Sequence, residues 1–242
     1  MTKKKKEDPR GLLFIWTDID EDYRLEYQKW HSCEHVPERL MIPGFYAARR
    51  YGGLGNAPNF LNLYETFDLK VLASEPYLRA KNNPTPWTRE VIAHFRNNGR
   101  NIVGLVAESG NKPTLDAPYL FVMRFNPPLA NRKEVIAWYS QEYLPKVCRL
   151  DGVYRGRLYE VDVEISGIPT AEQKISGSTY GRQMFLALFE IASLALPAST
   201  PWQEVQENSD HTKEMMKKLE DVQQELYWLQ FTMYAPPSSY LK

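Results

Sequence analysis

Cysteine is almost missing from this chain. Cys33 and Cys148 are its only two, with no CxxC spacing, so neither a disulfide framework nor a cysteine zinc site is expected. Long apolar runs are missing as well: the stretch at residues 12–16 is far short of the roughly 20 residues of a spanning helix. Net charge is zero, with 30 Lys and Arg against 30 Asp and Glu, and a body without a positive field is a poor partner for a phosphate backbone. No nucleic acid and no membrane is therefore expected as a partner. Residues 1–10, MTKKKKEDPR, lack the apolar core of a signal peptide and read as a disordered basic tail, which fits a cytoplasmic protein. GxGxxG, the P-loop, GxSxG and HExxH are all absent, so nothing cradles a nucleotide, presents a nucleophile elbow or marks a zinc protease.

What is present is an internal repeat. WHSCEHVPERLMIPGFYAARRY from Trp30 returns as WYSQEYLPKVCRLDGVYRGRLY from Trp138, a constant offset of 108 residues (Trp30 to Trp138). It pairs Glu34 with Glu142, Pro37 with Pro145, Gly44 with Gly152 and Arg49 with Arg157. Farther on, LNLYE from Leu61 matches LALFE from Leu186, and ASEPY from Ala73 matches ASTPW from Ala198. There the offset is 125 (Leu61 to Leu186), so about 17 residues are inserted in the second copy, within residues 161–183. That Gly-, Ser- and Thr-containing stretch lacks periodicity and reads as a surface loop or a lid.

Each copy reads strand, helix, strand, strand, helix, strand. The first offers strands at residues 12–17, 45–52, 60–67 and 102–107, and the second at 119–125, 153–161, 184–191 and 227–234. Helices are expected near 21–40 and 132–150, with a later helix in each copy, broken in the first by Pro84 and Pro86. The predicted organisation is a tail at 1–10, an N-terminal repeat at 11–111, a proline-bearing linker at 112–118 and a C-terminal repeat at 119–242. A four-stranded antiparallel sheet with helices on one face leaves an edge and a face open. Two such units close that gap, so the predicted fold is α+β, with two tandem ferredoxin-like β-α-β-β-α-β repeats forming one α+β barrel. The internal pairing removes the usual need for a homodimer without forbidding one.

The segments EHVPERLMIPGFYAARRY, NFLNLYETFDLKVLASEPYL and NNPTPWTR resemble the dimeric α/β-barrel superfamily, and more closely its ethyl tert-butyl ether degradation-like (EthD-like) proteins. The resemblance covers residues 12–107 well and the second copy in outline. It implies a pocket between sheet and helices, often with a histidine near the end of the first helix, the place held here by His35. It does not fix a chemistry, because the superfamily includes cofactor-free monooxygenases, cyclases, isomerases, dehydratases and haem-handling enzymes.

Differences between the copies single out candidate chemistry, since a reactive residue kept in one copy alone is not explained by folding. His31, His35 and His94 face Tyr139, Tyr143 and Leu219 in the second copy. His31 and His35, four apart, share one side of a helix, and His94 follows Trp87 and Val91 at helical spacing, so the three rings are expected to converge. Imidazole titrates near neutrality and suits proton transfer. Tyr23, Tyr27, Trp30 and Glu34 form an inward stripe, in which Glu34 needs a partner; Arg49 on the next strand is the natural one. Tyr27, Trp30, Phe45, Tyr64 and Trp87 supply aromatic walls for a flat hydrophobic ligand, with Arg49 or Asn62 as oxyanion partners. Thr85 is placed to cap the helix after it.

The expected activity is a cofactor-independent acid-base enzyme of isomerase, cyclase or lyase type on a small hydrophobic, aromatic or polyketide-like molecule. His35 would be the principal base or acid and His31 or His94 the second proton carrier. Alternatives are a cofactor-free monooxygenase, a non-catalytic small-ligand-binding protein in which the three rings could face water, and a metal site completed by Asp18 or Glu38. No cofactor and no metal is assigned.

Overall fold

The computed structural model describes residues 9–207 and 209–237, so the basic tail falls, but for its last two residues, outside the described chain. Eight strands form one closed barrel. They are β1 (Gly11–Ile19), β2 (Phe45–Leu54), β3 (Phe60–Thr66) and β4 (Phe95–Gly110) from the first copy, then β5 (Tyr119–Asn126), β6 (Val153–Val161), β7 (Phe185–Ile191) and β8 (Glu220–Tyr234) from the second. Their order is β1-β3-β2-β8-β5-β7-β6-β4, and every neighbouring pair is antiparallel. Each copy keeps the ferredoxin-like order within its half. The two seams are equivalent, since the second strand of one copy meets the last strand of the other at β2·β8 and at β4·β6. Closure leaves no unpaired sheet edge.

Strand alternation gives each residue one of two destinations. Leu12, Phe14, Leu61, Leu63 and Val103 turn into the barrel with Leu120, Val122, Leu186 and Leu188 from the second copy. Leu13, Tyr64 and Ile102 turn outward under the first copy's helices, and Phe121, Met123, Phe189 and Phe185 do the same in the second.

The first helix of each copy is interrupted at the same place. In the first copy α1 (Arg24–Trp30) runs into a π turn (His31–His35) and then α2 (Val36–Leu40). The Val36 N–H reaches back to the His31 carbonyl. Pro37 has no N–H to give Cys33 in the ordinary i to i−4 ladder, and a wider turn absorbs the lost bond. The second copy repeats the device with α5 (Arg132–Trp138), a π turn (Tyr139–Tyr143) ahead of Pro145, and α6 (Leu144–Val147). The later helices are α3 (Glu75–Asn82) and α4 (Pro86–Ile92). Thr85 caps α4, its hydroxyl accepting from the Thr88 N–H at 2.9 Å.

Two expectations change here. The insertion at residues 161–183 is no structureless surface loop: it contains α7 (Val163–Ser166) and α8 (Ala171–Ser176) and buries Ser166, Thr170 and Glu172. The last strand of the first copy starts at Phe95 rather than 102, so α4 stops at Ile92 and His94 sits in the turn between them. After the insertion the second copy's helices are α9 (Thr200–Glu207) and α10 (Asp210–Lys217). Among the described residues no helix is long and apolar enough to cross a membrane.

Inside the barrel lies a charged cluster built symmetrically from both copies. Glu65 accepts from Arg49 at 2.7 Å and also from Arg157. Glu190, the repeat partner of Glu65, accepts from Arg157 at 3.0 Å and from Arg155 at 2.6 Å, while Asp116 takes the far side of Arg49 at 2.9 Å. The expected Glu34–Arg49 pair does not form. Alternation along β2 sends Arg49 into the barrel and Arg50 under the helices, and Glu34 instead accepts from the hydroxyls of Thr85 (2.6 Å) and Thr88 (3.2 Å).

Candidate functional site

Between the outer face of the first copy's sheet and its helices lies a cavity of about 50 Å³, room for roughly four waters. Its sheet floor carries Ile15, Asn62, Tyr64 and Arg100, and its helical wall carries Tyr27, Trp30, His31, His35 and Lys81. Its roof is α8 from the second copy's insertion, which contributes Glu172, Gln173 and Ser176. One copy thus supplies the pocket and the other its cover.

The π turn positions both histidines. His31 and His35 are buried, at 2% and 7% exposure, with ring centroids 6.1 Å apart. The Arg50 guanidinium stands 3.3 Å from His31 Nδ1. A guanidinium only donates, so Nδ1 carries no proton and the hydrogen of His31 is on Nε2. That N–H donates to the Tyr64 hydroxyl at 3.0 Å, which leaves Tyr64 with its own hydrogen to donate elsewhere. Burial pushes the Tyr64 phenol well up, so it stays protonated near neutral pH. Tyr27 and Asn62 satisfy each other through two bonds, the Tyr27 hydroxyl to Asn62 Oδ1 at 3.0 Å and Asn62 Nδ2 back to the hydroxyl at 2.8 Å.

His35 packs against Trp30, ring centroids 4.3 Å apart. Its Nδ1 is buried without a hydrogen-bond partner. Burial first, then the charges of Arg39 and Lys81, hold its pKa well below the ordinary histidine value of 6.5. His31 is lowered likewise by burial, Arg50 and His35. Both rings are neutral at pH 7. In the unfolded chain they take up protons as pH falls through 6.5, and in the folded chain they do so only at much lower pH, so the unfolded state gains protons first. Stability therefore declines as pH drops below about 6.5, by up to about 1.4 kcal/mol per pH unit per histidine. Melting temperatures from pH 7.5 to 5.5 should fall for the native chain and fall less steeply for His31→Gln.

The cover is held by ions and backbone. Glu172 accepts from Lys81 at 2.7 Å and from Arg39, and Asn82 Oδ1 accepts the Ala171 N–H at 2.9 Å. Arg100 Nη2 donates to the Ser166 and Ile168 carbonyls and to Gln173 Oε1, at 3.1 to 3.2 Å. Asn98 Nδ2 donates to the Ser176 carbonyl at 2.6 Å.

Of the residues singled out from the sequence, His31, His35, Tyr27, Trp30, Asn62 and Tyr64 are brought together. His94 is not. It stacks on Tyr23, ring centroids 3.6 Å apart, and pairs with Asp20 at 3.0 Å, part-exposed in the turn after α4. Arg49 lies inside the barrel. Phe45 packs against Tyr64 and Tyr77 in the core, and Trp87 donates to Glu26 at 2.9 Å; neither lines the cavity. Asp18 and Glu38 do not join the histidines, since Asp18 accepts from the Asn59 N–H and Asn97, and Glu38 pairs with Arg39. Sequence reading missed Lys81, Arg100 and Glu172. For the two cations the one-copy criterion that found the histidines would have served: Lys81 aligns with Gln206, and Arg100, opposite Ile15 on β1, corresponds to Gln224 opposite Met123 on β5.

No protein-family profile matches the chain, and no curated protein does. Solved structures share its architecture over nearly the whole length. An anthrone oxidase-like protein superposes with a TM-score of 0.61 at 10% identity, covering 96% of each chain. A candidate monooxygenase from Fusobacterium nucleatum gives 0.60 at 8% identity, covering 93% of this chain and 95% of its own. Chlorite dismutase from Candidatus Nitrospira defluvii gives 0.56 at 11%, covering 93% and 92%. At such identities the likeness speaks for the backbone alone. The chain has an α+β fold built on one closed eight-stranded antiparallel barrel, with both ferredoxin-like halves supplied by one polypeptide.

Proposed function

We propose that the protein is a small-molecule enzyme that moves a proton on a carbon acid bound against His35 and Tyr64. The observation carrying this reading is the pairing of a neutral buried imidazole, its Nδ1 unpartnered, with a phenol whose hydrogen is left over. Their ring centroids are 6.2 Å apart and nearly perpendicular. His35 takes a proton from carbon next to a carbonyl, and Tyr64 donates its O–H to the oxygen on which negative charge develops. A fixed donor aimed at developing charge in a buried site is worth far more than in bulk water. The Arg50–His31 pair acts behind Tyr64 and fixes which way that hydroxyl donates. Arg39 and Lys81 disfavour the imidazolium once formed, so His35 returns the proton readily, as an isomerase or cyclase requires. The EthD-like assignment belongs to this proposal, supported by EHVPERL, which supplies His35 of the π turn and the Pro37 that follows it in α2.

A second reading shares the first step. The neighbouring structures described as a candidate monooxygenase and an anthrone oxidase-like protein favour a carbanion captured by molecular oxygen. A panel of aryl ketones and 1,3-dicarbonyls in D2O tests both. Protein-dependent deuterium incorporation at carbon supports proton transfer, and stoichiometric oxygen uptake selects the oxygenase. Absence of exchange across the panel counts against both.

A further inference from the structure

Four cationic side chains crowd the first copy's helix-sheet layer: Arg39, Arg50, Lys81 and Arg100, each 7% exposed or less. Folding does not call for them, because their repeat partners are Val147, Leu158, Gln206 and Gln224, all uncharged. Among the described residues one fully buried acid, Glu172, answers them; Glu38 adds a partly exposed contact to Arg39. Among the described residues no carboxylate lies within ion-pair distance of Arg50 or Arg100. Arg50 is met by the Gln28 carbonyl, Ser32, Gln230 and His31, and Arg100 by the carbonyls and amide already described. The Nε of Arg100 is buried without a partner. Buried charge left without a counter-charge is costly, so this layer is short of an anion.

The cover defines where that anion goes. A cavity of about 50 Å³ holds water and not an organic molecule, so α8 must shift for a ligand to enter. Gly177 at its C-terminal end has a left-handed φ of 65° with open space around it. When α8 lifts, Glu172 leaves Lys81 and Arg39. A neutral ligand would leave those cations bare, whereas a carboxylate restores both bonds.

We propose that the ligand of this cavity is a small organic carboxylate, and that Glu172 occupies the place of its carboxylate on Lys81 and Arg39 until the ligand displaces it. The inference rests on the cavity being the ligand site, as in the function proposed above, and it names the class of molecule that enters. Arg100 lines the same cavity from the sheet side and steadies the arriving charge, and the aromatic faces of Tyr27, Trp30 and Phe95 take the apolar remainder.

Calorimetric titration of the full chain with matched probes tests this: acetate and acetamide, benzoate and benzamide, 2-naphthoate and 2-naphthamide. The expected result is a carboxylate preference of about tenfold or more in at least one pair. Glu172→Gln should tighten that carboxylate about tenfold and leave its amide nearly unchanged, and Lys81→Met should remove the preference. Should Glu172→Gln fail to fold, the carboxylate-to-amide ratio on the native chain decides alone. Amides binding as well as their acids in every pair, or a folded Glu172→Gln that binds the acid no more tightly, overturns the proposal. If deuterium exchange fails while the preference holds, the proton chemistry is wrong and the carboxylate site stands; the opposite pattern discards the carboxylate and keeps the base.

Discussion

Replacing His35 with Gln should slow protein-dependent deuterium exchange by about 100- to 10,000-fold, the range ordinarily contributed by a positioned general base. Glutamine fills much of the imidazole's volume but has no basic nitrogen, so circular dichroism and the melting curve should stay near those of the native chain. His94→Gln is the matched control. His94 lies outside the cavity, stacked on Tyr23 and paired with Asp20, and its loss should leave exchange within about twofold of native, as expected for a change away from the reacting atoms. Tyr64→Phe removes one hydroxyl and should cost about 100- to 1,000-fold, as for other single oxyanion donors. Equal losses in His35→Gln and His94→Gln would contradict the assignment, because a shared loss reports a general perturbation of the first copy.

The second large effect is on stability and comes from inside the barrel. Among the described residues Glu65 is the only carboxylate that touches an arginine from each copy, Arg49 at 2.7 Å and Arg157. Burial alone would raise its pKa; Arg49, Arg157 and Arg155 overcome that and hold the carboxyl far below the ordinary range. Glu65→Ala leaves two guanidinium groups short of their shared counter-charge in a closed barrel. The expected cost is about 3–5 kcal/mol, a melting temperature lower by roughly 6–20 °C for a chain of this size. Glu75→Ala, which breaks an exposed pair with Arg79, should cost less than about 1 kcal/mol. The pH dependence follows from the direction of the Glu65 shift. Its contribution is fully present above the ordinary carboxylate value near 4.5 and is lost as pH falls below it, so acid unfolding of the native chain should begin under about pH 4.5 and the Glu65→Ala chain should lack that component.

The barrel was legible in the sequence because duplication writes the same pattern twice. Trp30 with Trp138, Pro37 with Pro145 and Gly44 with Gly152 fix the frame, and the change of offset locates the insertion. Strand parity was harder to see. Arg49 and Arg50 are adjacent, and the neighbouring residues of β2, Ala47, Ala48 and Tyr51, are buried on both faces of the strand, so no polar-apolar alternation tells which arginine enters the barrel. His94 was misplaced because continuing the spacing from Trp87 and Val91 carries a helix past Ile92, whereas the pairing of Phe95 with Ile19 on β1 starts a strand there. The cover was invisible for a different reason. α8 is six residues long, too short for an apolar period, and it is held by Glu172 against cations 91 and 133 residues distant in sequence. Long-range ion pairs of that kind leave no local pattern. The histidines came through because His31 and His35 share one helix turn and Tyr139 and Tyr143 replace them.

The most direct measurement is a crystal structure of the full chain soaked with an aryl ketone. Ligand density is expected under α8, with the carbonyl oxygen near the Tyr64 hydroxyl and the α-carbon facing His35. Density seated instead in the pocket beside Trp16 and Arg124, with no ligand against His35 and Tyr64, would contradict the proposed site.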